Sequence, residues 1–75
     1  MEIKYLSFVD KDTNIDINNI RSLNHIPRIG ETIKLYNKES KKISYYLIDD
    51  IIYDIYGFTV ICICQERKQT KKILR

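Results

Sequence analysis

Three aspartates, Asp49, Asp50 and Asp54, and one histidine, His25, are the side chains of this 75-residue chain best suited to acid–base work. On extended backbone Asp50 and Asp54 share a face about 13 Å apart, too far to share a proton, unless a bulge alters the spacing. Their better use is to guard an exposed strand against edge pairing. His25 is the sole imidazole, so a hydrolytic triad would have to be built around it, and it stands beside Pro27 in a loop. Ser22 and Ser44 lack the strand–turn–helix setting of an activated serine. Gly30 and Gly57 are isolated, which excludes a glycine-rich phosphate cradle. Cys62 and Cys64, two apart in an extended run, point to one face and are badly placed to join each other. They read as two buried thiols, the alternative being half of a metal site completed by a second subunit. The chain is therefore expected to be no enzyme, with no cofactor and no metal.

Binding is the better prospect. Six tyrosines are many for this length, and each is an amphipathic plate able to stack on a base or anchor an interface. The candidate set for a compact anionic ligand is Arg28, Lys34, Tyr45, Tyr53 and Tyr56. The plain alternative is that Tyr46 and Tyr53 are core while Tyr36, Tyr45 and Tyr56 merely cover a sheet. The last nine residues, RKQTKKILR, hold five Lys/Arg and no acid, whereas residues 1–66 hold eight against ten Asp/Glu. Arg67, Lys68, Lys71, Lys72 and Arg75 could thus form a nucleic-acid-binding tail, or simply a solvated one. The acids at 49, 50 and 54 would oppose a long nucleic-acid backbone, so a small nucleotide conflicts with them less.

The elements that must position these residues are strands. Fifteen isoleucines and no alanine favour extended structure, since β-branched side chains lose rotamer freedom in a helix. Strands are expected at 2–9, 14–18, 31–36, 43–55 and 58–66, with a helix over 14–23 as the competitor for the second. DKDTN (10–14) and NKESKK (37–42) are turns, Tyr56-Gly57 a tight one, and 24–30 a loop set by Pro27 and Gly30. A bulge at Asp49-Asp50 would put Tyr46, Ile48, Ile51 and Tyr53 on one face. Both faces of the last strand are apolar, Phe58/Val60/Cys62/Cys64 and Thr59/Ile61/Ile63. A barrel buries only one of them, so Thr59, Ile61 and Ile63 are expected to meet a second subunit, another protein or the folded-back tail through Ile73 and Leu74.

Five short strands with sharp turns predict an all-β, five-stranded antiparallel SH3-like barrel over 1–66, an OB-like barrel being second choice, followed by the basic tail 67–75. The run Ile26-Pro27-Arg28-Ile29-Gly30-Glu31-Thr32-Ile33, followed by Tyr46-Leu47-Ile48-Asp49-Asp50-Ile51-Ile52-Tyr53, resembles short β-barrel proteins of bacteria and their phages. These carry a P-R-x-G-[ED] turn and a Y-x-V-x-x-V strand, with isoleucine here in the valine places. The resemblance spans residues 2–66. It implies the fold and a microbial or phage origin, and brings no catalytic residues. No apolar stretch is long enough to span a bilayer, and the N-terminus does not read as a signal peptide, so no membrane partner and a cytoplasmic location, that of the host if phage-encoded, are expected. The expected function is that of a non-enzymatic homo-oligomer. It would counter host defence by stoichiometric binding, sequestering a signalling nucleotide or blocking a host protein. A nucleic-acid-binding barrel and a protein–protein adaptor are the alternatives.

Overall fold

The computed structural model describes residues 5–21 and 25–67. These form β1 (Tyr5–Asp10), β2 (Asp16–Arg21), β3 (Thr32–Asn37), β4 (Lys42–Asp54) and β5 (Thr59–Arg67), with no helix among them. The strands make one curled sheet, a half-barrel, in the order β2-β1-β5-β4-β3. The all-β, five-stranded expectation is met. The competing helix over 14–23 is not seen at Asp16–Arg21, where β1 offers a ladder and Ile17 and Ile20 turn to the core. One detail differs: the β1–β5 ladder is parallel, Tyr5 lying opposite Thr59 and Asp10 opposite Cys64, while the other three ladders are antiparallel. Five strands that alternate in direction leave the first and last running the same way. A sheet that joins them must contain one parallel pair.

Alternation decides which side chains fill the concave face. Leu6 and Phe8 of β1, Ile17 of β2, Leu35 of β3, Tyr46 and Ile48 of β4, and Val60, Cys62 and Cys64 of β5 are all buried there. Each large side chain so placed contributes on the order of 2 kcal/mol of transfer free energy. The register of β4 against β5 shifts between Ile48 and Asp50. Because of that bulge Tyr46, Ile48, Ile51 and Tyr53 lie opposite Glu66, Cys64, Cys62 and Val60, so the odd spacing still serves one face. The single buried hydroxyl at the centre, that of Tyr46, accepts a hydrogen bond from Asn37 Nδ2 at 3.1 Å, which removes the cost of leaving it unpaired.

All three hairpins turn by the same device. A short polar residue ends the incoming strand, and its side-chain oxygen accepts amides of the turn. Asp10 Oδ1 takes Asp12 N, Asn37 Oδ1 takes Glu39 N and Ser40 N, and Asp54 Oδ1 takes Tyr56 N and Gly57 N. Four positions later a non-glycine residue adopts the left-handed conformation: Asn14 (φ 64), Lys41 (φ 61) and Phe58 (φ 54). The last turn is thus not the tight Tyr56-Gly57 pair read from the sequence. Its left-handed residue is Phe58, and Gly57 is needed for room, since a Cβ there would sit 3.0 Å from the Asp54 carboxylate.

The bulge divides the sheet into two halves that share the β4–β5 hairpin. One comprises β3, the 42–47 part of β4 and the 65–67 part of β5, with the adjoining loop 25–31 and turn 38–41. The other comprises β1, β2, and the 48–54 and 59–64 parts of β4 and β5, with the turns 11–15 and 55–58. The halves meet again at a seam, where Lys38 N donates to Ile17 O at 2.9 Å and Asn18 Nδ2 to Tyr36 O at 2.9 Å.

Candidate functional site

Sorting the charges by this topology exposes what the linear sequence hides. The β3 half carries six Lys/Arg (Arg28, Lys34, Lys38, Lys41, Lys42, Arg67) against three acids. The β1 half carries two, Lys11 and Arg21, against six aspartates. The described residues therefore form a dipole, basic at one end and acidic at the other. Anionic ligands are drawn to the first and repelled by the second.

On the convex face of the basic half, cross-strand register builds a row. Lys34 on β3 lies opposite Tyr45 on β4, which lies opposite Arg67 on β5. The Lys34 ammonium sits 6.0 Å from the centre of the Tyr45 ring. Arg67 does not trail into solvent: its Nη1 donates to Thr32 Oγ1 at 2.8 Å. Thr32 lies on β3, two strands away, in the neighbouring row with Leu47 and Gln65. The guanidinium is thus drawn across β4 alongside Tyr45. An aromatic plate with a cation on either side offers a stacking surface and two phosphate contacts within one small area. Tyr36 and Ile43, opposite one another in the next row and both exposed, extend its apolar surface towards the lysine-bearing turn.

The structure brings together Lys34 and Tyr45 of the sequence-derived ligand set, and not the rest. Tyr53 lies at the far end of β4 and Tyr56 in the turn beyond it, in the acidic half, eight or more residues beyond Tyr45. Arg28 is exposed in the loop before β3, its amide held by Glu31 Oε1 at 2.8 Å. That loop is pinned to β4 by the reciprocal bonds Gly30 N to Ile48 O and Ile48 N to Glu31 O, both 2.8 Å. Arg67, assigned to a tail, is instead the last residue of β5 and completes the row. Counting register outward from the turn at Asn37 and Lys42 and from the bulge would have found it. Lys68, Lys71, Lys72 and Arg75, with Ile73 and Leu74, lie outside the described residues. Thr59, Ile61 and Ile63 occupy the convex face of the acidic half, each partly buried between Tyr5, Ser7 and Val9 of β1 and Asp54, Ile52 and Asp50 of β4.

No family model, curated protein or solved structure matches this chain.

The remaining chemistry is structural. Both cysteines are free and fully buried on the core face, and burial pushes the Cys62 thiol up to about 11 and the Cys64 thiol up to about 12. A thiol so held is neither a nucleophile nor a ready ligand, and among the described residues no three His, Cys, Asp or Glu side chains converge on a metal position. An open depression of about 190 Å³ lies at the seam, lined among others by Asp10, Asp16, Asn37 and Glu39. Asp10 and Asn37 are already committed to the turns. The depression follows from two hairpin ends meeting, and its acids make it unsuited to the anion the row would take. Past Ile48, β4 pairs only with β5 among the described residues, so Asp49, Asp50 and Asp54 do stand on an open edge. Asp49 is paired with Lys11 at 3.1 Å.

Proposed function

We propose that this protein is a non-enzymatic binding protein for a ligand that combines phosphate charge with a flat base, held on the Lys34–Tyr45–Arg67 row. The observation that carries the reading is the placement of one aromatic ring between two cations on three adjacent strands, one of them fixed by Thr32. The row is open and convex. A lone nucleotide would bury little of its surface there, whereas a single strand can lay successive bases along Tyr45 and Tyr36 with its phosphates on Lys34, Arg67 and the turn lysines. Single-stranded nucleic acid is therefore the favoured ligand. The acidic half disfavours long duplexes. Countering host defence by sequestering a signalling nucleotide is the second reading, and the openness of the row weighs against it.

Fluorescence anisotropy with a short labelled oligonucleotide tests it. Tyr45→Ala should weaken binding by about 1–3 kcal/mol, roughly five- to 150-fold. Lys34→Ala and Arg67→Ala should each lower the slope of log affinity against log salt by about 0.7. Binding that ignores all three substitutions but vanishes on removal of residues 68–75 would assign the activity to the tail. Absence of binding to oligonucleotides and nucleotides alike would end the proposal.

A further inference from the structure

Besides 18–21 of β2, which carries no acid, two backbone runs long enough to seed a ladder have a partner on one side only among the described residues: 49–54 of β4 and 32–35 of β3. Their chemistries are opposite. The β4 edge carries Asp50 and Asp54, with Asp49 paired to Lys11 of the β1–β2 turn. Around these acids Ile52, Tyr53, Ile55 and Tyr56 stand exposed, Tyr56 at 94%. The β3 edge carries Lys34, with Lys38, Lys41 and Lys42 beyond it, and belongs to the basic half.

Pairing two like edges opposes like charges in several registers. An antiparallel pairing of two β4 edges centred on Ile52 sets Asp50 against Asp54, and one centred between Ile51 and Ile52 sets Asp49 against Asp54. Like charges directly opposite destabilise a ladder. Two β3 edges paired about Lys34 oppose lysine to lysine. A β4 edge laid on a β3 edge instead brings aspartate to lysine and the apolar tip beside the partly buried Ile33. It also aligns the two dipoles head to tail. We infer that the acidic β4 edge docks on the basic β3 edge of a second copy by strand addition, a heterologous contact rather than a two-fold dimer. Such a contact propagates, so it closes into a ring or grows as a filament. The inference stands apart from the ligand reading, because it needs no ligand. It touches that reading at Lys34, which a neighbouring edge and an oligonucleotide would contest.

Sedimentation velocity of the full chain, alone and in mixtures, tests this. The wild type should associate with rising concentration at low salt and revert to monomer at high salt. Asp50→Lys/Ile52→Lys reverses one edge and Lys34→Glu/Lys38→Glu the other. All four side chains are exposed, and circular dichroism checks that the sheet remains. Each variant alone should lose association by about tenfold or more in Kd. Mixed, they should associate again, through the remaining wild-type pair of edges and through the charge-reversed pair, which is complementary in the opposite sense. A wild type monomeric at every concentration and salt would overturn the inference. So would an Lys34→Glu/Lys38→Glu variant that still dimerises alone, which reports an isologous acidic contact, or a mixture that stays monomeric. Anisotropy measured below the association range reads oligonucleotide binding separately, so the failure of either idea leaves the other standing.

Discussion

The two thiols buried in β5 make the stability of this protein fall in alkali, by an amount that can be worked out. Cys62 and Cys64 are inaccessible on the core face, and desolvation moves them from an ordinary 9.0 to about 11 and about 12. Desolvation disfavours the thiolate, so the native state holds its thiol protons above the pH at which the unfolded chain releases them. Their contribution is fully present below pH 9 and is lost as pH rises through 9 towards 11 and 12. Within that window each thiol lowers stability by a little over 1 kcal/mol per pH unit. From about pH 8 to pH 10 the pair should together remove about 2–3 kcal/mol. A chain of this size is stable by roughly 4–11 kcal/mol, so the loss is large. Urea unfolding at the two pH values measures it. The comparison is with Cys62→Ala/Cys64→Ala, which removes the thiols and leaves every other group in place. That variant should be less stable at pH 8, through the small cavities left, yet change less between the two pH values by that same 2–3 kcal/mol. Parallel pH profiles for the two proteins would refute the argument.

The turns supply two further tests. Asp54→Ala removes the oxygen that accepts both Tyr56 N and Gly57 N, and should cost about 1 kcal/mol in thermal or urea unfolding. Lys41→Gly relieves a left-handed side chain at φ 61, and should stabilise by up to about 1 kcal/mol, less what glycine adds to the freedom of the unfolded chain.

The sheet was readable because alternation is a local signal. Val60, Cys62 and Cys64 mark one face of β5 without reference to anything else, and the apolar set Tyr46, Ile48, Ile51 and Tyr53 could be reconciled only by a bulge, which is where the register shifts. Asp10, Asn37 and Asp54 announce the turns by their short polar side chains. What escaped depends on which strand lies beside which. Lys34 and Arg67 are far apart in sequence and become neighbours of Tyr45 only through two ladders. Tyr53 and Tyr56 looked close to Tyr45 in the sequence, but an extended strand places them at its opposite end. A split of residues 1–66 from a basic tail hid the dipole, because acids and bases alternate along the chain and are sorted only by the fold. Phe58 in a left-handed turn had no signal at all, since neighbouring Gly57 is the residue that invites that assignment.

The parallel β1–β5 ladder has a kinetic meaning. Tyr5 pairs with Thr59 and Asp10 with Cys64, so the contact that completes the core joins the two ends of the described chain. The three hairpins close short loops and can assemble while the rest of the chain is open. Only then does the β1–β2 pair find the edge of β5, at the entropic cost of the longest loop in the molecule. Until it does, Val60, Cys62 and Cys64 face water on a strand paired on one side only. The interval before closure is therefore when this chain is most exposed to misassembly, and substitutions at Leu6 and Phe8 should slow its folding as well as weaken the folded state.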